Sequence, residues 1–294
     1  MRWMMVPAFF VLTSCSSGGN DPGSGRTGTG DTGPGAAGGW SEGDWCGDLQ
    51  DLSDLEASFN PAQLRSTLMS LSARRYPPAE GLIEAQTDAE LARWFTGATG
   101  SFAEVVSRYE VAVHEGVHIW GFGRFSFSTY SYRVVDDDLI IETAFLDTFD
   151  RSEILSRHPD PSGDFYANTY LTGPSGAQGF NTLLDEYNAY THSLASRYCT
   201  RDTLGGASTS ARDGILTFMW YVETYLKIAR EEHPGDYQAI LDDPGHVELI
   251  LTVWDRAEYW LAVTANEPSL GIDDAALEAR VYEAANLEEI ERLR

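Results

Sequence analysis

Residues 111–120 read VAVHEGVHIW. Apart from His114, Glu115 and His118 the stretch is uncharged and largely apolar, and its setting predicts a helix. Ser101 followed by Glu104 is a capping-box pattern. Phe102, Val105, Val106, Tyr109, Val113, Val117 and Trp120 then recur near helical spacing. Gly121 and Gly123 read as the helix terminators. Positions four apart share one helix face, so His114 and His118 can turn two imidazole nitrogens toward one ion, with Glu115 beside them. Zinc hydrolysis needs such a set: protein ligands, an open position, and a carboxylate able to take a proton from water. With 6 His in 294 residues, a chance HExxH arises in roughly one such chain in a hundred.

The residues around the motif carry a resemblance. Val111 stands three before the first histidine, Ala112, Gly116 and Val117 keep the flanks uncharged, and Ile119 and Trp120 follow the second. The stretch resembles the extended HExxH pattern of zincin-type zinc metallopeptidases. That resemblance implies Zn2+ as cofactor, His114 and His118 as ligands, Glu115 as general base and a third ligand from elsewhere. The metzincin continuation HExxHxxGxxH matches at Gly121 but has Arg124 at its last position, and a guanidinium does not ligate zinc. Gly121 is then simply a helix end. The gluzincin pattern takes a glutamate from a later helix, often as Glu-x-x-Ala. In LLDEYNAYTH, residues 183–192, Glu186 to Ala189 fits, so Glu186 is the expected third ligand, its carboxylate within about 5 Å of both imidazoles. Asp185, His192 and Glu142 remain rivals. Tyr187, Tyr190, His192 and Arg124 are candidates for an oxyanion donor. His158, His233 and His246 sit in a loop or near helix ends and read as surface or capping residues.

The N-terminus has its own logic. Residues 1–15 read MRWMMVPAFFVLTSC: one arginine, then an apolar run far too short to span a bilayer. Leu12-Thr13-Ser14-Cys15 resembles the lipobox of bacterial lipoproteins. This implies a signal peptide over 1–14 and a lipidated Cys15. Residues 15–43 form a Gly/Ser-rich tether that cannot bury enough surface to fold, with a reach of roughly 30 Å. A metallohydrolase domain then spans 44–294. Ser16 after the cysteine carries no inner-membrane retention signal, so the outer membrane is expected. Cys46 and Cys199 would then share an oxidising compartment. A bond between them, with Cα atoms within roughly 7 Å, could stabilise the fold by up to about 5 kcal/mol. Two free buried thiols are the alternative.

Hydrophobic residues make up 43% of the chain, enough for a sizeable core. A formal net charge of −25 repels phosphate backbones, so no nucleic-acid partner is expected. Asn60-Pro61 and Thr87 with Glu90 open helices to about Arg74 and Phe95. Residues 125–145 switch to strand periodicity around Asp136-Asp137-Asp138 and predict a hairpin. A long irregular region follows, then helices over about 179–198, 209–232, 245–265 and 273–292. The expected fold is α+β, predominantly helical, a zincin-like domain with a small sheet. The expected function is an envelope-tethered zinc peptidase acting on peptide or protein substrates. The alternative is a non-catalytic surface lipoprotein that binds or scaffolds.

Overall fold

A computed structural model describes residues 40–43, 45–203 and 209–294. The signal peptide, Cys15 and the tether as far as residue 39 lie outside the described residues. The domain is predominantly helical, with one small antiparallel sheet.

The caps read from the sequence operate as local chemistry requires. After α1 (Ser53–Ala57), the Asn60 side chain accepts from Ala62 N at 3.0 Å. Pro61 opens a 3-10 turn that continues as α2 (Leu64–Arg75). Following α3 (Glu80–Glu84), Thr87 and Glu90 form both bonds of a capping box before α4 (Asp88–Trp94). At α5 (Phe102–Phe122) Ser101 Oγ accepts from Glu104 N, but the expected capping box is not completed, because the Glu104 carboxylate accepts from Gly100 N at 2.8 Å instead of Ser101 N.

Gly121 does not end α5; the helix runs on to Phe122, and its cap, Gly123, stays right-handed at φ −62°. Gly121 is instead a point of close packing. A Cβ there would meet Tyr130 Cε1 at 3.2 Å and Ser131 O at 3.3 Å, so its missing side chain lets the hairpin lie against the motif helix. That hairpin pairs β1 (Thr129–Arg133) with β2 (Ile140–Ala144), Tyr130 opposite Thr143 and Tyr132 opposite Ile141. Asp136 fixes the turn, its carboxylate accepting from Asp138 N at 3.0 Å.

The region expected to be irregular holds a 3-10 stretch at Arg151–Arg157 and the short helices α6 (Phe165–Tyr170) and α7 (Gly173–Gly176). Asp164 caps α6 by accepting from Ala167 N at 2.8 Å. Buried Arg151 ties the region together through the carbonyls of Tyr170 and Ser175, each at 2.9 Å. The long helices α8 (Phe180–Cys199) and α9 (Ala211–Glu232) follow. Pro234 then opens a separate helix, α10 (Pro234–Asp242), which the sequence reading passed over, before α11 (Pro244–Val263). The single helix expected over 273–292 is two, α12 (Asp274–Val281) and α13 (Ala284–Glu291), broken at Tyr282 and Glu283.

Helices α5, α8 and α9 form the centre, α8 packing between the other two. The hairpin and α11 cover α8 from another side, and α12 and α13 lie on α9. The folded part also starts earlier than position 44. Glu42, assigned to the tether, has a side chain only 1% exposed and ion-pairs with the fully buried Arg256. Trp260 Nε1 donates to the same carboxylate at 3.2 Å. Nearby, the Cα atoms of Cys46 and Cys199 are 4.8 Å apart, inside the range a disulfide spans. This places the end of α8 against the start of the domain.

Candidate metal centre

Helices α5 and α8 run antiparallel, and their side chains meet in order. Arg197 reaches Ser107 O at 3.1 Å and Glu110 at 3.5 Å. One turn along α5, His114 Nδ1 meets Ser193 Oγ at 3.0 Å. Another turn on, His118 Nδ1 meets Asp185 Oδ2 at 2.6 Å. With each Nδ1 engaged on α8, the Nε2 atoms turn toward one another, 3.1 Å apart.

Glu186 Oε2 completes the group. It lies 3.3 Å from His114 Nε2 and 3.4 Å from His118 Nε2. Among the described residues these three are the group of His, Cys, Asp and Glu side chains that could hold a metal ion. Two observations fit the donor set to an ion. Bonds of about 2 Å in a tetrahedron leave ligand atoms roughly 3.3 Å apart, which is the spacing of this triangle. Glu186 Oε2 is also buried, makes no well-aligned hydrogen bond and faces the two imidazole nitrogens across the triangle, so its charge needs a cation there, either a protonated imidazole or a bound metal ion.

The charges are mutually dependent. Burial pushes Glu186 up, but the imidazoles, His118 foremost, outweigh it and hold the carboxyl below its ordinary range. Burial pulls His118 down, yet Asp185 and then Glu186 overcome it and hold the imidazole well above its usual value. Glu115, next to His114 and 8% exposed, makes no hydrogen bond or ion pair among the described residues. Burial raises its pKa, partly offset by His118 and His114.

The rivals for the third position sit elsewhere. Asp185 grips the far nitrogen of His118. His192 is fully buried, with Nδ1 on the Tyr76 hydroxyl at 2.8 Å and Nε2 on Arg133 O at 3.1 Å. It is neither a ligand nor an oxyanion donor here. Glu142 is exposed on the hairpin, accepting from Ser131 Oγ. Among the other oxyanion candidates, the Tyr190 ring packs edge-on against His114, and its hydroxyl is shared with Tyr170 at 2.8 Å. Gly214 on α9 gives that ring its place, since a Cβ there would run into it. Tyr187 is fully buried, and Arg124 lies over the Trp120 ring at 3.8 Å. His233 holds the expected capping position between α9 and α10 and is part-exposed, whereas His158 and His246 are not surface residues. His158 is buried beside Trp220, His233 stacks on Phe149, and His246 is fully buried against Asp243.

The sequence reading missed Ser193. Its signal was position: it lies seven residues after Glu186, two helical turns along the same face. Compared with models of protein families, with curated proteins and with solved structures, the chain gives no match.

Proposed function

We propose that this chain is a zinc-dependent hydrolase acting on peptide bonds outside the cytoplasm, held to the outer membrane by a lipid on Cys15. The observation that carries the reading is the convergence of His114 Nε2, His118 Nε2 and Glu186 Oε2 within 3.1–3.4 Å of one another, with Glu115 next to the first histidine. Two imidazoles and one carboxylate are a donor set suited to catalytic zinc, which keeps a further position open. The lipobox-like segment and the cysteine pair support an extracytoplasmic setting.

A zinc ion held by these three residues supplies Lewis acidity, making water easier to deprotonate near neutral pH and polarising a substrate carbonyl. The chain's own residues do the rest. His114 and His118 stay fixed through their Nδ1 contacts, so their Nε2 atoms keep one orientation. Glu115 is left unpaired by the described residues, so its carboxylate is available to take a proton from water and pass it to the leaving amine nitrogen. The buried Tyr190 ring, edge-on against His114 and hydrogen-bonded to Tyr170, limits water around His114.

The test separates chemistry from binding. Glu115→Gln should keep about one zinc per chain while cleavage of a broad peptide library falls by about a hundredfold or more, the usual scale for loss of a general base. Loss of zinc in this variant would make Glu115 structural and the mechanism wrong. A wild-type chain that binds zinc yet cleaves nothing would favour the non-catalytic binding module.

A further inference from the structure

One turn of α8 does more than supply a ligand. Asp185 and Glu186 are adjacent in sequence and lie at opposite ends of the same imidazole. Asp185 Oδ2 is 2.6 Å from His118 Nδ1, and Glu186 Oε2 is 3.4 Å from His118 Nε2. Resting on the metal-centre reading above, we propose that Asp185 is the positioning residue of that centre: it holds the His118 ring by its Nδ1–H, so that with a metal ion bound Nε2 is the donor atom facing Glu186 and His114.

The direction of the contact follows from chemistry. An ionised carboxylate only accepts, so Nδ1 must donate. A neutral imidazole that donates from Nδ1 carries its lone pair on Nε2, the nitrogen that points into the triangle. Asp185 is 3% exposed, so bulk water does not compete for this bond, and charge-assisted bonds are about twice as strong as neutral ones. A carboxylate behind the ring also makes the imidazole a more basic ligand.

His114 shows the same design with a weaker partner. Ser193 Oγ donates to Ala189 O at 3.2 Å, which leaves its lone pairs to accept from His114 Nδ1 at 3.0 Å. Both histidines are therefore set by α8, one through a charge and one through a hydroxyl. Positions 185, 186 and 193 of a single helix then hold the whole arrangement: a lock, a ligand and a second lock. Tyr130 of the hairpin, buried and with its ring against Phe122 at 5.8 Å, interacts electrostatically with Asp185. The hairpin thus shields the stronger lock from solvent.

Zinc affinity by chelator competition tests this on purified chain, for wild type, Asp185→Ala, Asp185→Asn and Ser193→Ala. Asp185→Ala should bind about ten- to a hundredfold more weakly, the usual cost of losing such a partner. Asp185→Asn keeps an accepting oxygen and should fall between that variant and wild type. Ser193→Ala should lose less than Asp185→Ala. With cobalt(II) in place of zinc, the visible spectrum should shift in Asp185→Ala and recover toward wild type in Asp185→Asn. Should the alanine variant fail to fold, nitrogen-15 NMR of the zinc-loaded wild type reads the same point, with the His118 proton expected on Nδ1. Unchanged affinity in Asp185→Ala, or a proton on Nε2, overturns the assignment and leaves the metal centre standing. A wild-type chain that takes up no zinc overturns the metal centre itself.

Discussion

Glu223 lies mid-way along α9, 0% exposed, and neither carboxylate oxygen has a hydrogen-bond partner among the described residues. Burial, reinforced by Glu289, pushes its pKa up to about 9. An acid raised in this way binds a proton in the folded state that it releases when unfolded. Stability is therefore unaffected below the unfolded pKa of about 4.3, falls as pH rises above it, and reaches its full loss near pH 9. At pH 7 the gap spans about 2.7 pH units, or roughly 4 kcal/mol at 1.36 kcal/mol per unit. Glu223→Gln removes the ionisation and nearly keeps the shape. It adds a buried amide whose own cost does not vary with pH, so the slope of the difference is the informative quantity. Thermal unfolding at pH 5, 7 and 8.5 should show the variant gaining on wild type by about 2–4 °C per kcal/mol for a domain of this size. The advantage should rise by roughly 5–10 °C between pH 5 and 7 and further by pH 8.5. A difference in melting temperature that stays flat with pH would refute the reasoning, because it would mean Glu223 is ionised or solvated in the fold.

Glu42→Gln leaves Arg256 buried without its counter-charge, and breaking such a pair costs about 3–5 kcal/mol. The melting temperature should fall by about 10 °C, and a chain begun at residue 44 should show the same loss; a change under about 2 °C would refute the structural role of the segment. Cys15→Ala should move the full-length protein out of the detergent phase on fractionation, and unchanged partitioning would refute the lipid anchor.

The motif helix was legible because its signals are local: a serine cap, a period of 3.6 and two histidines on one face. Glu186 could be singled out only through the resemblance of Glu186 to Ala189 to the Glu-x-x-Ala pattern, carried on a helix with clear apolar periodicity. Asp185 could not be assigned, since neighbouring helix positions point about 100° apart and the sequence does not say which one faces the histidine lone pairs. Ser193 carries no charge to draw attention. Gly121 was read as a terminator because a glycine that ends a helix and one that admits a neighbouring strand look alike in sequence. Glu42 was hidden by its glycine-rich surroundings, and only tertiary structure brings Arg256 to it, 214 residues away. The break at Tyr282 and Glu283 carries neither glycine nor proline, so helical periodicity gave no reason to divide that segment.

The central claim is that three side chains form one metal site, and metal content tests it most directly. Wild-type chain beginning before residue 40, stripped of metal, reloaded with zinc and dialysed, should retain one zinc per chain. Glu186→Ala should bind more weakly than any variant of a supporting partner, by more than about a hundredfold, and should come through the same dialysis essentially empty. Wild-type chain that retains no zinc, or a Glu186→Ala variant that retains as much as wild type, would contradict the account.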